Sequence, residues 1–193
     1  MQTIRYAKEE SKTMRDDKEF TMLWHDNATG MWDRWLTGRK IKRALEIGSF
    51  EGASAIWLLD MFPEAKITCI DTFSPGFDDV TGEYEQRFDR NMAEYGSRVT
   101  KLKGRSQDVL KTFSKRSRFD FIYIDGHHSY EAVKEDIALA YPLLASGGIM
   151  ILDDYDNKDF GVKKAVDEFL EETSGQRRCI LRQRNDYQMA IEK

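Results

Sequence analysis

Only two of the 193 residues are cysteine, and neither charge sign dominates. Cys69 and Cys179 fall in separate apolar stretches without metal-type spacing, which sets aside a disulfide-stapled scaffold and a cysteine zinc site; buried, reduced thiols and a cytoplasmic setting are expected. Lys plus Arg total 30 against 34 for Asp plus Glu, a net charge of −4, so no basic footprint for nucleic acid is present. The two basic clusters, Lys111–Arg118 and Arg177–Arg184, read as solvated faces. No apolar run approaches the ~20 residues of a membrane helix. The segment Met1–Lys8 lacks the hydrophobic core of a secretory signal, and internal repeats and low-complexity tracts are missing. What remains is the composition of an ordinary soluble protein, long enough for one domain that buries about 70% of its unfolded surface.

The chain is organised around Ala44–Ser54. Ala44, Leu45 and Ile47 form a short apolar run that turns at Gly48, and Gly52 opens a helical stretch. A strand, a glycine turn and a helix in that order begin a nucleotide-binding α/β sheet. Strands are predicted over Arg43–Gly48, Ala65–Asp71, Val99–Gly104, Phe119–Asp125 and Ile149–Leu152. Helices are predicted over Ala53–Met61, Gly82–Tyr95, Asp108–Phe113, Tyr130–Leu144 and Val162–Glu172. Arg178–Arg184 and Tyr187–Glu192, flanking Asn185-Asp186, read as a β-hairpin. Alternation of strand and helix implies an α/β, Rossmann-like doubly wound sheet, mostly parallel, with the C-terminal hairpin adding an antiparallel edge. The expected organisation is a single domain over residues 1–193, with an N-terminal arm and helical cap (1–42) on a Rossmann-like core (43–193). The segment Glu19–Leu36 holds three of the four tryptophans, Trp24, Trp32 and Trp35, which read first as a cap on the core and second as the floor or lid of a pocket.

In open α/β sheets ligands bind beyond the carboxyl ends of the strands. Four predicted strands end there in Gly48, Asp71, Asp125 and Asp153-Asp154. Asp71 stands 19 residues after Gly52, where an acid that accepts ribose hydroxyls is expected. The glycine spacing is Gly48-x-x-x-Gly52 rather than G-x-G-x-x-G, and Glu51 in the turn would repel a pyrophosphate. Glu46 and Glu51 together suit S-adenosylmethionine, a phosphate-free sulfonium, better than a nicotinamide dinucleotide. Asp125, Asp153 and Asp154 on one rim would repel one another unless protonated or bound to a cation, and an all-oxygen set favours a hard ion such as Mg²⁺. His127 and His128, just beyond Asp125, are candidate general bases; His25 has no such neighbours and reads as structural. Phe73, Phe77 and Tyr84 are candidates to line an acceptor pocket.

The runs Glu46–Ser54, Ile70-Asp71, Ile124–Glu131 and Gly147–Tyr155 resemble class I S-adenosylmethionine-dependent methyltransferases, and more narrowly the small group related to the metal-dependent O-methyltransferases. The resemblance covers about Arg43 to Glu172. It implies a seven-stranded sheet with an antiparallel last strand. It places Glu46, Gly48, Ser49 and Gly52 at the methionine end of the cofactor, Asp71 on the ribose, Gly104, Ser106 and Gln107 at the adenine, and Asp125 between cofactor and metal. Asp125, Asp153 and Asp154 fall on the metal-ligand positions of metal-dependent members. Three positions depart from relatives. His128 stands where catechol-type enzymes have lysine, His127 where some sugar-modifying relatives have aspartate, and Asp154 where catechol-type enzymes have asparagine. The expectation is methyl transfer from S-adenosylmethionine to a small-molecule hydroxyl, assisted by Mg²⁺, with His128 or His127 taking the proton and no nucleic-acid or membrane partner. A homodimer stays open. The rivals are metal-independent methylation of nitrogen or a protein, a non-catalytic cofactor-binding relative, and an NAD(P) oxidoreductase, which the glycine spacing and Glu51 disfavour.

Overall fold

The computed structural model describes residues 17–22, 29–74, 82–114, 116–173, 178–181 and 188–193, with the backbone alone for Met31 and 178–181. Among these, seven strands form one sheet in the order β3-β2-β1-β4-β5-β7-β6. The strands are β1 (Arg43–Ile47), β2 (Lys66–Asp71), β3 (Val99–Lys103), β4 (Phe119–Ile124), β5 (Leu144–Leu152), β6 (Arg178–Leu181) and β7 (Met189–Glu192). The first five are parallel, and β7 runs antiparallel to both β5 and β6. The expected hairpin is therefore present, with its second strand inserted beside β5.

Side-chain alternation along each strand divides the core in two. Ala44, Cys69, Phe121, Tyr123, Ile149, Ile151 and Ala190 face one layer, which holds α1 (Trp32–Leu36), α2 (Ala53–Met61) and α3 (Tyr84–Met92). Leu45, Ile47, Ile122, Ile124, Met150, Leu152 and Ile191 face the other, which holds α4 (Ser106–Leu110), α5 (Tyr130–Ala140) and α6 (Val162–Glu172). Apolar side chains on both faces explain why β1, β4 and β5 read as nearly continuous hydrophobic runs. Trp32 and Trp35 are buried in the first layer, which agrees with the core-capping reading. Trp24, His25 and Phe77 lie outside the described residues.

Several boundaries differ from the sequence expectation, each for a local reason. The helix expected to reach Leu144 ends at Ala140, where Pro142 sits in a short 3₁₀ turn and cannot supply a helical N–H. Ser129 starts that helix by accepting from the Ala132 N–H. The predicted fifth strand opens earlier, at Leu144, because Gly147-Gly148 forms a bulge rather than a turn. The β4–β5 register shifts there, and Gly147 has φ 76. Helix α4 begins at Ser106, two residues ahead of expectation, with the Asp108 and Val109 N–H groups both on the Arg105 carbonyl. That shift brings Ser106 and Gln107 into the first turn, at the sheet's carboxyl edge. No helix of the described residues is long and apolar enough to cross a membrane.

Candidate active site

A cavity of about 1110 Å³ opens along the carboxyl ends of β1 to β5. Its first wall is the turn after β1. Gly48 has φ +84, and a Cβ there would collide with the Asp125 carbonyl, so only glycine lets β1 and β4 end this close together. The Asp71 carboxylate fastens the turn. Its Oδ2 accepts from the backbone N–H groups of Ser49 and Phe50, each at 2.9 Å, and its Oδ1 accepts from that of Phe73 at 2.8 Å. The Tyr84 hydroxyl also approaches Oδ1, at 3.4 Å, so these contacts engage most of the about four acceptor positions of an ionised carboxylate. Asp71 lines the cavity all the same.

The acids meet at the far wall. The Tyr123 hydroxyl donates to Asp125 Oδ2 at 3.2 Å. Gln188 Nε2 donates to Asp153 Oδ1 at 2.7 Å, and Trp32 Nε1 donates to Gln188 Oε1 at 3.2 Å, so Asp153 is fixed by the residue that leads into β7, itself held from α1. Asp154 takes a left-handed backbone (φ 54) that turns its carboxylate toward His128, whose Nδ1 stands 3.6 Å from Asp154 Oδ2. Asp125, His128 and Asp154 each offer a ligand atom within 4.8 Å of the others. The His128 ring stacks on Phe160, with centroids 4.4 Å apart and planes 14° apart. Burial, and then the charges of Asp153, Asp154 and Glu46, push the Asp125 carboxyl well above the usual carboxylate range. Burial raises Asp153 to about 6 against the opposing Gln188 bond. Among the described residues no lysine or arginine pairs with any of the three aspartates.

Glu46 sits behind this wall rather than in it. It lies in register with Cys69 and Tyr123, 1% exposed, and accepts from the Ser54 hydroxyl; its Oε2 has no hydrogen-bond partner among the described residues. Burial lifts its carboxyl to about 7. Glu51, which the sequence reading placed against a ligand, points away from the cavity. Arg87 Nε bonds its Oε1 at 2.5 Å, and the backbone N–H and hydroxyl of Thr21 bond its carboxylate at 2.6 and 2.8 Å. Its charge is matched internally, so the repulsion of a pyrophosphate expected from it does not arise.

A family profile described as a methyltransferase domain matches residues 45–155, more than half of the chain. The chain belongs to that family. The matched span holds the carboxyl ends of β1 to β5, which build the cavity. An uncharacterised protein of Acanthamoeba polyphaga mimivirus, R132, is 29% identical over 119 residues, 58% of this chain. The chain spans about half the length of that curated relative, 50%. The fold is similar to that of the O-methyltransferase NovP, with a TM-score of 0.65 and 20% identity over 88% of this chain and 78% of that one. SAH-bound PaMTH1 of Podospora anserina gives 0.64 and 20% over 95% and 84%, and CalS11, a TDP-rhamnose 3'-O-methyltransferase, gives 0.62 and 18% over 86% and 76%.

In this methyltransferase-family chain, Gly48, Asp71, Gly104, Ser106, Gln107, Asp125, His127, His128, Asp153 and Asp154 all line one cavity. Ser49 and Gly52 do not. The Ser49 side chain is buried, and Gly52 stands at the N-cap of α2, where a Cβ would meet Met92 Cε. Of the aromatic candidates, Tyr84 lines the cavity, while Phe73 packs in the core against Phe88. Sequence reasoning passed over Tyr123, Gln188, Asn157 and Phe160. Tyr123 carried a signal, because it precedes Asp125 by two residues and so shares its side of the strand. Gln188 carried none, since its contact with Asp153 depends on where the terminal hairpin inserts.

Proposed function

We propose that the protein is an S-adenosylmethionine-dependent methyltransferase that methylates a small-molecule hydroxyl with the help of a divalent cation. The observation that carries the reading is the convergence of Asp125, Asp154 and His128 at one end of a cavity whose other wall is the Gly48 turn. The donor set fits a hard ion in two respects: the oxygens come from carboxylates, and Asp125 is held in a half-buried cluster of like charge that a cation would neutralise. Asp125 and Asp154 would hold it, with Asp153 anchored by Gln188 behind them. When bound, the cofactor supplies the methyl group and the cation lowers the pKa of a coordinated hydroxyl.

The chain's own residues then have three tasks. The Gly48 turn and Asp71 hold the cofactor against the strand ends. Asn157 and Phe160 flank the acids and orient the acceptor, which is where most of the rate advantage of such a transfer arises. A histidine accepts the acceptor's proton, and the geometry favours His128. The Nδ1 of His127 accepts from the Ser129 backbone N–H at 3.2 Å, so its lone pair is already committed.

The test is calorimetry with S-adenosylhomocysteine and Mg²⁺ on the wild type and Asp125→Asn, followed by turnover on a panel of diols and phenols with and without a chelator. Micromolar cofactor-product binding, on the order of −8 kcal/mol, with a Mg²⁺ heat absent from Asp125→Asn, is the expected result. Turnover that survives the chelator would remove the cation from the reading. A metal-independent reading has one observation in its favour: Asp153 Oδ1 is already bound by Gln188.

A further inference from the structure

Asp136, on α5, is 1% exposed, and the acids of the strand rim do not touch it. Its carboxylate is bonded by a side chain from the first turn of α4, Gln107, which lines the cavity together with its neighbour Ser106. The bond from Gln107 runs from Nε2 to Asp136 Oδ1 at 3.0 Å. An ionised carboxylate only accepts, so it fixes which end of the Gln107 amide faces it: the NH₂ group turns toward Asp136 and the carbonyl oxygen turns away. Gln107 is 7% exposed, its Oε1 has no partner among the described residues, and that oxygen is not sealed from solvent. The exposed remainder of the side chain faces the cavity. The part of the wall that Gln107 lines therefore presents an acceptor of set polarity. A glutamine held by a neutral partner could show either end.

We propose that Asp136 is a positioning residue that locks the Gln107 carbonyl toward the ligand, so that the cavity selects a 6-amino purine over a 6-oxo purine. The inference rests on the cavity being an S-adenosylmethionine site. An exocyclic amine donates to the Gln107 oxygen. An exocyclic oxo group would face it lone pair to lone pair, leaving two acceptors unpaired in a largely enclosed place. Burial raises the Asp136 carboxyl to about 6, against the bond from Gln107, so the group is mostly ionised above neutral pH, where the lock operates.

The experiment compares the affinities of S-adenosylhomocysteine and S-inosylhomocysteine by calorimetry at pH 8. Wild type should prefer the adenosyl compound by about 10- to 100-fold. In Asp136→Asn both amides can turn over together, so the preference should fall to within about 3-fold through a gain in inosyl binding. Gln107→Met should lose the preference with Asp136 in place, and adding Asp136→Asn to it should leave the ratio unchanged; this pair decides the matter even if Asp136→Asn alone folds poorly. A purely structural Asp136 would weaken both ligands in parallel and keep the ratio, and that result overturns the proposal. Wild type binding both compounds equally also overturns it while leaving the methyltransferase reading intact. Wild type binding neither removes both.

Discussion

The acids around Glu51 and the acids of the strand rim are built in opposite ways. Glu51 is enclosed by donors: Arg87 from α3, and Thr21 from the segment before α1. Asn91 bonds the Glu51 carbonyl as well. Asp125, Asp153 and Asp154, with Glu46 behind them, have no lysine or arginine among the described residues, only Tyr123, Gln188, Asn157, His128 and, on Glu46, Ser54. The first group has the internal counter-charge that a buried carboxylate needs. The second has neutral donors, like charges and an open cavity. Both stretches read as acid-rich loop chemistry in the sequence. What separates a structural carboxylate from one available to a ligand is whether the fold brings it a cation of its own.

Removing the internal counter-charge should give the largest effect. Arg87→Met leaves Glu51 charged and buried, which costs ~3–5 kcal/mol and should show as a lower urea midpoint. Arg87→Met with Glu51→Gln should recover most of the loss. If the single variant unfolds at the wild-type midpoint, the pair does not stabilise the fold and the contrast between the two groups fails.

On the unmatched side the corresponding test is pH. Glu46 has a folded pKa of about 7 against an ordinary 4.5. A carboxyl whose pKa is raised in the fold binds its proton more tightly there than in the unfolded chain. Its contribution to stability is therefore complete below pH 4.5 and is lost as pH rises through about 7, a fall of roughly 3 kcal/mol. Asp153 and Asp136, both raised to about 6, act in the same direction. Melting temperatures from pH 5 to 9 in chelator should decline for the wild type, and less steeply for Glu46→Gln, whose side chain cannot ionise. Parallel curves would mean that Glu46 already has a counter-charge.

Supplying a cation should close part of the gap between the two groups. At a Mg²⁺ concentration 100 times its dissociation constant the folded state gains about 2.7 kcal/mol, visible as a higher melting temperature. Asp125→Asn should show none of that gain, and in chelator it should be at least as stable as the wild type, since it removes one of the crowded charges. A Mg²⁺ shift of the same size in Asp125→Asn would place the ion elsewhere.

The sheet was readable from the sequence because β1, β4 and β5 are apolar on both faces and end in polar residues, a pattern that few other structures tolerate. The same pattern brought Asp71, Asp125, Asp153 and Asp154 to one rim, since strand ends in a parallel sheet share a side. The direction of the side chains was less readable. Glu46 and Glu51 look like site residues by position, but strand alternation turns Glu46 into the core and Arg87, far along the chain, draws Glu51 away. The cluster at the rim also differs from the expected one. Sequence order gave three aspartates, while the left-handed backbone at Asp154 brings in His128 and the Gln188 bond occupies one oxygen of Asp153. Contacts that depend on distant elements, such as Gln107 with Asp136, have no local signature.

The smallest effect expected is at His127, and it sharpens the comparison within the rim itself. The two histidines are adjacent in sequence and both line the cavity, yet the strand end sends them to different partners. His128 stacks on Phe160 and approaches Asp154; His127 is exposed and turns its Nδ1 back onto the Ser129 N–H at the start of α5. An exposed bond of that kind contributes about 0.5 kcal/mol. His127→Ala should therefore keep the Mg²⁺ heat and hold kcat/KM within about 3-fold on an active diol or phenol, whereas His128→Ala should lose about 100-fold or more, as removal of a general base does. If the two losses come out equal, proton transfer at this rim is shared, and the commitment of the His127 lone pair to Ser129 does not persist in the working enzyme.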